Sequence, residues 1–503
     1  MYSSKKLYKL GFLSLVLLLC SCSNSGGLHD NFVPGYNYSN ETNESESYLD
    51  IEEKDFVSTS ENAVTQFSLD GSTGSYPNIR KAIENGKAPI KSQVIIEQML
   101  NYFSYSYERP SDSPIQTYVE SMTCPWNEDN LLASVAVVTK DYDRLIKKAP
   151  SNFVFLLDTS GSMYYDLTLV QESFKLLVEG LDDEDVISIV TYAGSSQVVL
   201  DGARGYEKQK IMAAIEDLTA SGSTNGSKGI QTAYDIAAKY YIEGGVNRIF
   251  LATDGDFNVG ISSINGLKKY ISQKRDDGIY LSLLGFGSGN YQGSTMQTLA
   301  DNGNGTYYYI DSLIEARKVF VEQLGSTLKV VAKDAKAQIT FNSEAVSKYR
   351  LLGYENRMIS SDDFNNNEKD AGELSAASTT LALVEIVPTA DCDKKELLKA
   401  EVRYKDVDDG NLDKNVFSTL ICGNSEATEN LKFAASVAEF ALILRDSKYK
   451  ANASIDNVLS NLENLNSVFI NEGLKQSERL EKLNKIAISQ MQILNDTDIK
   501  YLK

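Results

Sequence analysis

The chain has 503 residues, a formal net charge of -20 and 42% hydrophobic residues, enough to bury more than one ordinary core. A surface this acidic repels phosphate backbones, which argues against a nucleic-acid partner, and it does not repel divalent cations. The one histidine, His29, lies in a polar leader region. That excludes a Ser-His-Asp triad, a His-rich zinc site and acid–base chemistry built on imidazole.

The first 21 residues read as a targeting segment. Lys5, Lys6 and Lys9 form a basic start and "GFLSLVLLLC" a short apolar run. Leu19-Cys20-Ser21-Cys22 fits a bacterial lipoprotein box with Cys22 as the lipidated residue. Cys20 fits worse because large leucines precede it, and an ordinary secretory signal or simple anchor is the alternative. The apolar run is short for a spanning helix. Residues 22–62 are Ser-, Asn- and Glu-rich and read as a disordered acidic tether. About 40 such residues reach roughly 35 Å.

Residues 63–150 read as a mixed α/β segment, with strands at "VTQFSLD" and "NLLASVAVVTKDY" and helical spacing in "NIRKAIENG" and "KSQVIIEQMLNYF". From 151 to 334 the character changes. The apolar runs "NFVFLL", "VISIVTY", "RIFLAT", "IYLSLLGFG" and "GTYYYI" alternate with helical stretches, and "LIEARKVFVEQLGSTL" closes the region as a helix. This alternation predicts an α/β fold with a mostly parallel sheet and helices on both faces. Ligands of such sheets bind beyond the carboxyl ends of the strands. Residues 335–427 read as β-rich, through "AKAQITFN", "TTLALVEIVP", "KAEVRYKD" and "VFSTLIC", and 428–503 as helical. The two flanks are expected to pair into one domain with the α/β region inserted, through "NLLASVAVV" and "TTLALVEIV". Cys124, Cys392 and Cys422 match no CxxC metal pattern, and the sequence assigns no disulfide among them.

Three motifs fall where strands should end: "DTSGS" after the first strand, "SGSTNGS" opening a helix, and "LATDGDFNVG". Together they bring Asp158, Ser160, Ser162, Thr224 and Asp254 to one sheet edge. Oxygen ligands without nitrogen or sulfur favour a hard cation, Mg²⁺ first and Mn²⁺ or Ca²⁺ next. Taken singly, each motif is equally a helix cap or a turn. A nucleophile reading fails because "TSGSM" is not G-x-S-x-G, no folded histidine exists, and no S-x-x-K motif sits at the turn. "GNYQG" and "NGNGTYYY" lack the strand–GxGxxG–helix context and read as turns, and "LDDEDV" reads as a solvated acidic loop. Tyr164 and Tyr165, with Asn225, are candidate partner contacts, and the tyrosines could equally pack on their own loop.

D-x-S-x-S with a later Thr and a later Asp resembles the metal-ion-dependent adhesion site of von Willebrand factor type A domains. The resemblance covers the whole α/β region and fills all five positions. The flanks "SYPNIRKAIENGKAPIKSQVIIEQMLNYFSYSY", "CPWN", "LGFGSGNY", "YRLLGYENR" and "FAASVAEFALILRDSKYK" resemble a bacterial family of von Willebrand A lipoproteins with a characteristic N-terminal segment and a C-terminal domain of unknown function. The resemblance implies a Rossmann-like A domain. It also implies that Ser160, Ser162 and Thr224 are direct or near-direct ligands, and that Asp158 and Asp254 hold coordinating waters. A partner's Asp or Glu would then complete the metal shell. The resulting expectation is a non-enzymatic protein-binding lipoprotein, held in the bacterial envelope by a lipid on Cys22 and placed at the outer membrane by the lack of an Asp after that cysteine. The alternative is a scaffold subunit of an envelope complex, with a structural metal and contacts through the C-terminal helices.

Overall fold

The structure is a computed structural model, and it describes Tyr48, residues 51–69, 71–85, 87–141, 149–222, 226–255, 264–287, 292–323, 330–368, 371–410, 412–423, 427–462 and 465. Of the sequence expectations, Cys22, Thr224, Asn225, the leader and the helical pattern beyond 465 lie outside the described residues.

The elements in chain order begin with β1 (Val57–Ser58), β2 (Val64–Ser68), α1 (Ser75–Glu84), α2 (Ile96–Tyr102), β3 (Ile115–Cys124) and β4 (Asn127–Thr139). The α/β unit follows: β5 (Ser151–Asp158), α3 (Leu167–Glu179), β6 (Val186–Tyr192), β7 (Ser196–Arg204), α4 (Lys208–Glu216), α5 (Gly226–Lys239), β8 (Val246–Thr253), α6 (Ile264–Asp276), β9 (Tyr280–Gly285), α7 (Gly293–Asn302), β10 (Tyr307–Tyr309) and α8 (Leu313–Arg317). The chain then adds β11 (Val330–Phe341), β12 (Val346–Leu352), α9 (Ser361–Asn365), β13 (Gly372–Ser375), β14 (Thr379–Pro388), β15 (Glu396–Asp406), β16 (Leu412–Ile421) and α10 (Glu429–Leu444).

The central sheet has the order β10-β9-β8-β5-β6-β7. Its pairs are parallel except β6 with β7. Every residue of β5 and β6 is buried, as strands covered on both faces must be. One face is covered by Phe174 and Leu177 of α3, Ile211 and Ile215 of α4 and Ala316 of α8. The other is covered by Ile230 and Tyr234 of α5, Leu267 and Ile271 of α6 and Leu299 of α7. Phe155 and Phe174 meet with ring centroids 4.4 Å apart, each contributing roughly 1.5–3 kcal/mol by burial. The fold class is thus a mostly parallel α/β sheet with helices on both faces, as the apolar strand runs predict. Two details differ. β7 is an antiparallel edge strand whose exposed polar face hides it from a search for apolar runs. The closing helix passes into a π-turn at Lys318–Gln323.

The two flanks pair. β4 lies antiparallel to β14, with Val135 opposite Ala382 and Ala133 opposite Val384. The sheet β1-β12-β14-β4-β3 faces a second sheet built on β13-β11-β15-β16, with β2 added to β11. Ala133, Val135 and Val137 of one sheet pack with Ala337, Ile339 and Val402 of the other. The outer face of the first sheet, through Leu132, Ala136, Leu381 and Leu383, carries α1, α2 and α10. α10 is apolar nearly all round, from Leu431 to Leu442, and is buried accordingly. The tether reading requires a correction at its end. Residues 51–62 belong to the fold: Val57 pairs with Tyr349, Phe56 packs on Tyr449, and the Thr59 hydroxyl donates to Val346 O. Two strand residues and one aromatic anchor suffice where a sheet edge is on offer, and composition averages hide them.

Candidate metal-ion site at the sheet edge

β5 neighbours β6 on one side and β8 on the other, so the chain reverses its direction of winding at β5. The crevice beyond the ends of β5 and β8 is the position where open α/β sheets bind ligands. Asp158 is the last residue of β5, and Asp254 follows the end of β8. Asp158 is fully buried, Ser160 and Asp254 nearly so, and Ser162 is exposed on the one turn of 3-10 helix at Gly161–Tyr164.

The loop is held from beneath. Asp158 accepts from the Ser160 amide at 2.9 Å and from the Thr253 hydroxyl at 3.1 Å, and the Gly255 amide donates to that hydroxyl at 3.1 Å. Gly161 N donates to Gly222 O and Ser221 N to Thr159 O, which docks the segment leading to Thr224 against the "DTSGS" loop. The Ser160 and Ser162 hydroxyl oxygens stand 3.0 Å apart. The structure therefore brings Asp158, Ser160, Ser162 and Asp254 to one edge, and Thr224 and Asn225 fall just beyond the last described residue there.

Burial pushes the Asp158 carboxyl up to about 6, and the Asp254 charge adds to the rise. The groups that favour its charged form are an amide and hydroxyls, all neutral. A buried carboxylate facing a second one, with only neutral donors, is the electrostatic setting that a divalent cation relieves. The hydroxyl and carboxylate oxygens fit a hard ion such as Mg²⁺. Among the described residues no three His, Cys, Asp or Glu side chains form a group that could hold a metal ion, so this candidate rests on two carboxylates with hydroxyls.

Several residues at the site escaped the sequence reading. Gly287, after β9, has φ +72, and a Cβ there would come within 2.8 Å of Asp166 Oδ2 and 3.2 Å of Asp254 Cβ. Only glycine fits this wedge without strain. Its carbonyl accepts from Lys81 Nζ at 3.1 Å and from the Tyr309 hydroxyl. Lys81 lies on α1, so the N-terminal flank reaches the site. Asp166 is raised mainly by burial, with Lys81 opposing and Asp254 adding. No local spacing could signal this contact between residues 206 positions apart. "LDDEDV" is also only partly solvated. Asp185 is buried and accepts from the Ser151 amide at 2.7 Å, fixing the start of β5.

Tyr164 and Tyr165 are 69% and 89% exposed beside Ser162, ring against ring at 5.2 Å. They do not pack into the loop.

Residues 152–323 match the von Willebrand factor type A domain, residues 42–134 a family described as von Willebrand factor, and residues 326–477 the family described as Uncharacterized protein YfbK, C-terminal. The chain is 39% identical over 436 residues to the uncharacterized protein YfbK of Escherichia coli, covering 81% of this chain and 75% of that protein. An uncharacterized protein of Synechocystis is 28% identical over 197 residues, covering 39% of this chain and 45% of its own length. Among solved structures, a von Willebrand factor type A protein from Catenulispora acidiphila is similar, with TM-score 0.41 and 14% identity over 71% of this chain and 89% of that one. A type A domain at the centre, a YfbK C-terminal match and extended identity on both sides of the domain join in one conclusion: the chain belongs to the YfbK-like family of von Willebrand factor type A proteins.

Proposed function

We propose that the chain is a non-enzymatic, lipid-anchored protein of the bacterial cell envelope, with the lipid on Cys22 and the outer membrane as its seat. On this reading it captures a protein partner through a Mg²⁺-dependent adhesion site. A type A domain is consistent with a protein-interaction role, which supports the binding half of the proposal. The observation that carries it is the buried Asp158 beside Asp254, stabilised by neutral donors alone, at the switch point of the sheet.

Ser160, Ser162 and Thr224 would hold the ion, with Asp158 and Asp254 through water. Bound there, Mg²⁺ supplies positive charge to which a partner's Asp or Glu can bind. Only neutral hydroxyls would touch the ion directly, with both carboxylates acting through water, so it would keep its attraction for a partner's carboxylate. The exposed Tyr164–Tyr165 pair gives a partner an apolar, hydrogen-bonding rim. Mn²⁺ or Ca²⁺ would meet the same oxygen set with looser geometry.

Of the C-terminal helices that the scaffold alternative relies on, α10 buries its apolar surface against the outer face of the first sheet. The test uses the chain from residue 23 as bait in detergent-extracted envelope. A partner should be held in Mg²⁺, released by EDTA, recovered on adding Mg²⁺ back, and absent with Asp254→Ala. A partner held equally in all conditions would move the function to the flanks.

A further inference from the structure

Cys392 lies in the connection from β14 to β15, and Cys422 directly follows β16. Their sulfurs are 3.2 Å apart across a separation of 30 residues. The backbone sets this approach independently of the thiols. Cys422 N donates to Lys395 O at 2.9 Å, and Lys394 N donates to Cys422 O at 3.3 Å. Lys395 N in turn closes a turn onto Cys392 O at 3.0 Å. The two segments are therefore locked in register at the end of the β15–β16 hairpin. The sulfurs need to close by only about 1.2 Å to reach a bond of about 2.05 Å. Cys124, by contrast, is fully buried on the far side of the first sheet, among the residues under α1, α2 and α10.

We infer that Cys392 and Cys422 form a disulfide when the chain meets a disulfide donor, such as oxidised glutathione or a dithiol oxidase. Cys392 is half-buried and Cys422 buried, so Cys392 is the thiol that meets the donor. It gives its proton to solvent, and its thiolate attacks one sulfur of the donor, expelling the other as a thiol. Cys422 then gives up its proton and attacks the Cys392 sulfur of the mixed disulfide, expelling the second donor thiol. Two protein thiols are oxidised and one donor disulfide is reduced. The product ties β16, an outer strand of its sheet, to the β14–β15 connection and closes a loop containing both hairpin strands. The sequence is silent on this because thiol spacing does not carry hairpin register.

The test equilibrates the purified full chain in a glutathione redox buffer, followed by alkylation under denaturing conditions and peptide mapping. The expected result is a linked pair of peptides carrying Cys392 and Cys422, with Cys124 alkylated. In Cys422→Ser, Cys392 should accumulate as a lasting glutathione adduct, since no second thiol is placed to displace it. The inference is overturned if the wild type leaves both cysteines alkylated, or if it accumulates the same adduct as Cys422→Ser. The measurement is independent of where the chain resides in the cell.

Discussion

Glu97 of α2 is fully enclosed beneath Gly353 and Tyr354. Burial, then the Glu355 charge, lifts its carboxyl from 4.5 to about 7, against backbone hydrogen bonds and the charge of Arg445. The folded chain thus holds a proton that the unfolded chain releases near 4.5. The contribution of this group is full below that value and is lost as pH rises through about 7. Glu97→Gln, which cannot ionise, should match the wild type near pH 4.5 and exceed it at pH 8 by up to about 3 kcal/mol. Urea denaturation across that range checks this, and parallel pH curves for the two proteins would refute it. At the same scale, the carboxylates and serines of the candidate metal site are legible because each motif ends a recognisable strand. Lys81, Asp166 and Gly287 are not, because what joins them is the docking of a flank onto a loop. Tyr164 and Tyr165 could be named from their position but not oriented. Tyr164 ends the 3-10 turn and Tyr165 caps it, while Met163 of the same turn is buried.

Among elements, α1 joins the flank to the α/β unit. Arg80 binds Asp311 twice, at 2.6 and 2.7 Å, and also Glu315 at 3.0 Å and the Tyr102 hydroxyl at 3.0 Å. All three charged groups are almost completely buried. Removing one partner of a buried network leaves uncompensated charge, so Arg80→Ala should cost about 3–5 kcal/mol in chemical denaturation. A loss below about 1 kcal/mol would place the pair among ordinary surface bridges. The same α1 presents Lys81 to Gly287, so it both clamps the end of the α/β unit and borders the candidate site. β5, β6 and β8 are legible in the sequence because their apolarity is nearly continuous, whereas β3 is not, because Gln116, Thr117, Glu120 and Ser121 dilute the pattern. That strand is fixed instead by ten residues of pairing with β4.

For the whole molecule, the chain leaves a half-built sandwich at β4, completes an α/β unit, and returns to finish the sandwich. β14 supplies the neighbour that β4 lacks, and β11 the one that β2 lacks. Residues 48–150 alone should therefore remain unfolded by amide exchange, and co-expression with residues 330–465 should restore a protected complex. A fragment 48–150 that folds by itself would contradict the inserted arrangement. This pairing was foreseeable from two long apolar strands without local partners. The contribution of residues 51–62 was not, since one short strand and a single Phe carry it within an acidic, Ser-rich stretch.

On the proposed function, Asp158, Ser160, Ser162, Thr224 and Asp254 hold a divalent ion. Thermal unfolding of the chain from residue 23, with increasing Mg²⁺ and then excess EDTA, tests it most directly, beside Asp254→Ala. Specific binding stabilises the folded form by about 2.7 kcal/mol at a hundredfold excess over the dissociation constant. The wild-type midpoint should climb with Mg²⁺ and return in EDTA, while the variant midpoint stays flat. Equal responses in both proteins, or none in the wild type, would contradict the account.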